Sequence, residues 1–152
     1  MRILPIGAPS QPPEKVVPRA EEWAWDFKGD FLYKDGRMYK VYDDEAIKVW
    51  IWKLFKTERQ LWTIHSLLYG TDYYTLIGLG YTPSYINALA EKMTRDALAI
   101  NLGDYVLNIE AVDSKTPIVA FAKHILYITF YADTIYNERG VRFGGVYNAY
   151  VR

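Results

Sequence analysis

The sequence contains no cysteine, which excludes a disulfide framework and any zinc site built on thiolates. It has only two histidines, His65 and His124, in unrelated segments, a poor basis for an imidazole metal centre or an acid/base pair. No apolar run approaches the roughly 20 residues of a membrane span, and the opening MRILPIGAPSQPPEK lacks the apolar stretch of a secretion signal. An excess of either charge is missing too, because 18 basic residues balance 18 acidic ones. Phosphate backbones are held by basic surfaces, so nucleic acid is not expected as a partner. No membrane partner is expected either, and the chain is expected to be made and kept in the cytoplasm. Gly78-Leu79-Gly80 lacks the downstream Gly-Lys-Ser/Thr of a phosphate loop, and no cofactor is expected.

Aromatic side chains are what the sequence has in excess: five Trp, fourteen Tyr and six Phe make 16% of it. Tyrosine brings apolar area with a polar tip and loses little side-chain entropy when ordered, which suits an interface or a half-buried sheet surface equally well. At 152 residues the chain fits one domain able to bury a substantial core.

Residues 1–20 hold Pro5, Pro9, Pro12, Pro13 and Pro18. Proline removes backbone donors and fixes φ, so this stretch reads as an extended arm outside the core. Ile3, Leu4, Ile6, Val16 and Val17 are more apolar than a solvated tail needs, which points to an arm lying on a neighbouring surface; a disordered tail is the alternative. Asp35-Gly36, between Phe31–Lys34 and Arg37–Val41, predicts a hairpin turn. Asp43 or Asp44 then caps a helix in which Ile47, Trp50, Ile51, Leu54 and Phe55 recur at helical spacing, with Trp52 at the edge of the stripe.

Gln60 to Ser66 is a short strand or irregular, and a short helix starts near Thr71. Thr82-Pro83 opens a second long helix. Its inner face carries Ile86, Leu89, Ala90, Met93, Ala97 and Ile100, with the pairs Glu91/Arg95 and Lys92/Asp96 outside. Tyr105 to Val112 predicts a strand alternating Val106, Asn108 and Glu110 against Tyr105, Leu107 and Ile109. The run Ile118 to Tyr136 is too long for one element and predicts a bulge near Ala122-Lys123 before a main strand from Ile125. VRFGGVYNAYVR suits a loosely held end. The order is an N-terminal β-hairpin, two main helices and then C-terminal antiparallel strands, an α+β fold. Residues 1–20 form the arm, 21–138 the domain and 139–152 a C-terminal extension.

Glycoside hydrolysis needs only two carboxylates, and Glu58 with Asp72 facing it is the candidate pair. A general acid needs a raised pKa, which the adjacent guanidinium of Arg59 opposes, so no catalytic residue is expected. Thr57-Glu58-Arg59 presents a carboxylate and a planar five-donor group from the end of a buried helix. It is either a binding elbow or a local ion pair that fastens its own domain. Nothing after the strand Ile125 to Tyr136 carries an obvious core face, so the edge of that strand is expected to stay open and accept a strand from another chain. Its candidate contacts are Tyr127, Thr129, Tyr131, Thr134 and Tyr136.

The segments Ala46-Ile47-Lys48-Val49-Trp50-Ile51, Lys56-Thr57-Glu58-Arg59, Tyr69-Gly70, Leu76-Ile77-Gly78 and Thr134-Ile135-Tyr136 carry a resemblance through their order and spacing. The stretch from about Trp25 to Glu138 resembles the baseplate wedge proteins of contractile phage tails, in the branch found in prophages and phage-tail-like bacteriocins. The resemblance implies a structural sheath initiator in the baseplate around the tube, with six copies per particle. Its implied partners are the sheath protein, the tube proteins and other baseplate wedge proteins, with a terminal β-element completing a sheet with the first sheath ring. It implies adhesive contact within the baseplate for Glu58 and Arg59 and places Tyr69 and Gly70 in the following turn. The arm before Glu21 lies beyond the match, and Asn137-Glu138 stands where the family pattern has a glycine. The alternative is a cell-wall-degrading, lysozyme-like enzyme of the same particle.

Overall fold

At Asp35 and Gly36 φ is 51° and 74°, the two positive values that a two-residue hairpin turn requires. The computed structural model, which describes residues 15–60, 64, 68–76, 80–122 and 125–148, places this turn between β2 (Tyr33–Lys34) and β3 (Arg37–Met38), with β1 at Glu21–Trp23. The strands are shorter than expected because the returning chain changes partner. β4 (Lys40–Tyr42) pairs antiparallel with β1 instead, and Val41 packs against the core.

α1 spans Asp44–Lys56 and buries Ala46, Ile47, Val49, Ile51, Leu54 and Phe55. Trp50 is half-buried, its indole N–H donating to Glu22 Oε2 at 3.0 Å. Asp43 occupies the cap position without capping. Its carboxylate instead accepts from Arg19 Nε at 2.8 Å and Nη2 at 3.1 Å, and this hydrogen bonding holds the Asp43 carboxyl below the usual carboxylate range.

α2 spans Pro83–Leu102, with the Thr82 hydroxyl accepting from Tyr85 N. The inner stripe is Ile86, Ala90, Thr94, Ala97, Leu98 and Leu102. Ile100, expected inside, is 51% exposed, because a stripe drawn through it runs off the 3.6-residue period set by Ala90, Thr94 and Ala97. Thr94 is tolerated in the core because its hydroxyl donates to Ala90 O at 2.8 Å and lies 2.5 Å from the Tyr73 hydroxyl. Arg95 pairs with Glu91 at 3.1 Å; among the described residues Lys92 and Asp96 form no ion pair.

The sheet is built on β7 (Ile125–Thr134). On one side β5 (Val106–Glu110) pairs with residues 131–134 and β6 (Val119–Ala122) with residues 125–128. On the other side β8 (Val141–Asn148) pairs from Ile125 to Ala132. Three expectations are corrected here. First, the long run contains a chain reversal, not a bulge, since Ala122 pairs with Ile125; Lys123 and His124 lie outside the described residues. Second, a bulge interrupts β5 between Val106 and Asn108, so Val106 and Ile109 are both buried and Leu107 is 66% exposed. Third, the C-terminal extension forms β8, with Val141 and Phe143 buried, so β7 is paired on both sides, on the β8 side from Ile125 to Ala132. The last four residues, 149–152, lie outside the described set.

The helices cover one face of the sheet. Phe55 of α1 meets Phe130 and Phe143 edge-on at 6.0 and 5.2 Å, and those two rings stack at 5.3 Å. Burying aromatic side chains of this kind contributes about 1.5–3 kcal/mol each. Asp44 fastens the start of α1 to the β7–β8 connection. Its carboxylate accepts from Thr134 Oγ1 at 2.5 Å and from Asn137 Nδ2 at 2.6 Å. Asn137, standing where a glycine was expected, is therefore a partner of that carboxylate. Gly140 lies so close that an added Cβ would come within 2.6 Å of it.

Asp44→Ala is expected to cost about 1.5–3 kcal/mol in urea unfolding, the scale for losing hydrogen bonds to a charged group. The pH dependence follows from Asp26, Asp43 and Asp113. Each is held below the usual range, chiefly by the Asp30 N–H, the Arg19 guanidinium and the Thr116 N–H respectively. A depressed carboxyl stabilises the fold above its unfolded pKa and loses that contribution as pH falls. The melting temperature should hold from pH 7 to 5 and drop below about pH 4, with a shallower drop in Asp43→Asn.

Candidate functional site

α1 ends at Lys56, and the next three residues turn the chain into an elbow. Thr57 N–H bonds back to Leu54 O, and the Thr57 hydroxyl donates to Lys53 O at 2.7 Å. Arg59 N donates to Thr71 O at 3.1 Å and Thr71 N to Thr57 O at 2.9 Å, so Glu58 and Thr71 form a parallel bridge. This clasp explains Gly70. Its φ is 107°, and an added Cβ would lie 2.6 Å from Thr57 O and 3.0 Å from Arg59 N. Tyr69 packs against the core beside it, and burial, followed by the charge of Glu22, pushes its hydroxyl pKa up. The structure thus brings Glu58, Arg59, Tyr69 and Gly70 together.

Arg59 Nη1 pairs with Asp72 Oδ2 at 2.9 Å, which favours the elbow as a fastener of its own domain. Asp72, expected to face Glu58, is thereby engaged by a guanidinium. Arg59 Nε and Thr71 Oγ1 are buried without a hydrogen-bond partner among the described residues. Much of the chain from Gln60 to Ser66, and the Ile77-Gly78-Leu79 part of the glycine loop, lie outside the described residues.

The five residues expected on the long strand separate into two groups. Tyr127, Thr129 and Tyr131 alternate with the buried Leu126, Ile128 and Phe130, so they share the face turned away from the helices. There the Arg139 guanidinium lies 5.6 Å from the centre of the Tyr131 ring, and its Nε donates to Glu110 at 2.6 Å. Thr134 points inward to Asp44. The Tyr136 hydroxyl accepts from Ala20 N at 2.8 Å, while Tyr105 donates to Pro18 O at 2.9 Å and Lys15 pairs with Asp104 at 2.7 Å. Residues 15–20 of the arm therefore lie on their own domain; residues 1–14 fall outside the described set.

β8 is the strand that the sequence reading missed, although the alternation of Val141 and Phe143 was its signal. One side pairs with β7, and no other strand pairs with it among the described residues. Lys56, the last residue of α1, donates from Nζ to Val146 O at 2.7 Å. A groove of about 420 Å³ lies against β8 at Gly144 to Val146, lined also by Phe27, Trp52, Lys56, Tyr127 and Thr129. A lysine laid on an edge strand discourages unintended pairing. Among the described residues no group of acidic residues and histidines could hold a metal ion, and no helix is long and apolar enough to cross a membrane.

The family model described as contractile injection system sheath initiator matches residues 21–137. A search among curated proteins finds no match.

Gly70→Ala is expected to destabilise the chain by at least about 2 kcal/mol, since it combines a strained φ with a main-chain clash. Chemical denaturation measures the loss. Lys56→Ala should leave stability within about 0.5 kcal/mol and increase concentration-dependent self-association, read by light scattering.

Proposed function

This chain belongs to the contractile injection system sheath initiator family, and from that premise we propose that it starts the sheath by offering the free edge of β8 to a strand of the first sheath ring. The coarse role is structural: a component of sheath assembly, at the baseplate of a contractile particle, that meets sheath and tube or baseplate proteins. In the proposed arrangement six copies surround the tube of a phage tail or tail-like bacteriocin, assembled in the cytoplasm. Their outer sheet faces carry Tyr127, Thr129 and Tyr131 toward partners. Glu58 and Arg59 of the elbow meet the neighbouring wedge proteins, Tyr69 and Gly70 hold the turn behind them, and Thr134 and Tyr136 hold the sheet end that these contacts use.

The observation that carries the reading is the edge itself. β8 is eight residues long and, among the described residues, paired on one side alone, and a groove lined by Tyr127, Thr129, Gly144 and Trp52 lies against it. Unpaired N–H and C=O groups in a row bind an extended segment through main-chain hydrogen bonds, with side-chain pockets adding selectivity. Lys56 keeps that edge from pairing at random. A non-catalytic role agrees with Asp72 being engaged by Arg59.

Electron microscopy of particles from a producing strain with the gene deleted tests the role. Loss of sheathed tails, with free tubes or scattered sheath polymer left behind, is expected. Normal contractile particles would contradict it. Cell-wall-degrading activity in the purified chain, abolished by Glu58→Gln, would instead make it an enzyme.

A further inference from the structure

Resting on the strand-addition reading, we propose that Gly144 is a socket for one bulky side chain of the incoming strand and so selects which segment the β8 edge accepts. Gly144 is exposed and lies across from Thr129 of β7. Its φ is outside the left-handed region, and an added Cβ would meet nothing within 4 Å. Neither backbone geometry nor internal packing therefore requires a glycine here. Gly145 is different, because a Cβ there would strike the Phe143 ring at 2.9 Å. Two adjacent glycines thus have separate causes, and only the second is explained inside this domain.

Glycine inside a strand weakens it and marks a place where another group comes close. A bare glycine on a sheet is well covered by a large cross-strand neighbour. The space over Gly144 belongs to the groove with Tyr127 and Thr129 on one flank and Phe27 and Trp52 on the other. An aromatic or branched aliphatic side chain opposite Gly144 fills that space while its main chain pairs with β8. Lys56, at the same groove and already on Val146 O, suits an acidic residue on the same segment. The partner is therefore an extended strand of the sheath subunit carrying one bulky apolar residue and an acidic residue nearby.

The test titrates the full-length chain with the sheath protein of its particle and reads affinity together with amide hydrogen exchange across Val141–Asn148. Binding should protect β8. Gly144→Leu should melt near the wild-type temperature yet bind about tenfold more weakly, and Gly144→Ala about threefold more weakly, the scale of a lost cross-strand pair. Protection of β8 with wild-type affinity in Gly144→Leu would overturn the socket and leave the edge reading standing. Binding without protection of β8 would overturn both. If Gly144→Leu does not fold, Gly144→Ala decides the matter, and unchanged affinity there would overturn the socket.

Discussion

The structure depends on β7 having a partner along both sides. This strand runs beneath the helices, with Leu126, Ile128, Phe130 and Ala132 buried, where an unmet N–H or C=O would find no water. β5 and β6 reach only half its length each and share one side, so the other side needs a single long strand. β8 is that strand. It also supplies Phe143, which closes the aromatic cluster with Phe55 and Phe130. With β8 in place the free edge moves one strand outward, to where Gly144 leaves room and Lys56 lies on the main chain.

α1 is held at both ends and lies between the two candidate surfaces. At its start Asp44 binds the β7–β8 connection through Thr134 and Asn137. At its end the Thr57 and Arg59 main chain clasps Thr71, with Gly70 allowing the close approach. Thirteen residues make a rod of about 20 Å, whose last residue touches the β8 edge and whose next three form the elbow. The elbow and the lysine that touches the edge are therefore carried by one helix.

Much of this was legible in the sequence where one local signal dominates. Asp35-Gly36 gave the hairpin turn, Thr82-Pro83 the start of α2, and the apolar spacing of Ile47, Ile51, Leu54 and Phe55 the core face of α1. Misreadings arose where phase or partner is set by tertiary contact. One extra residue in β5 inverts the alternation after Val106, and Ile100 falls off the inner stripe by a fraction of a turn. The reversal between β6 and β7 carries no glycine, proline or asparagine in Lys123-His124, so it read as a continuous strand. β8 was obscured because Gly144-Gly145 interrupts its apolar pattern, and the engagement of Thr134 and Tyr136 inside the domain depends on Asp44 and Ala20, far away in sequence.

The most direct measurement is a high-resolution electron cryomicroscopy map of the baseplate and first sheath ring of an uncontracted particle. Continuous density for a sheath strand running beside residues 142–146, at main-chain hydrogen-bonding distance from β8, is the expected result. A β8 edge that faces solvent, or is covered by a helix or loop with no strand beside it, would contradict the proposal that this protein starts the sheath through that edge.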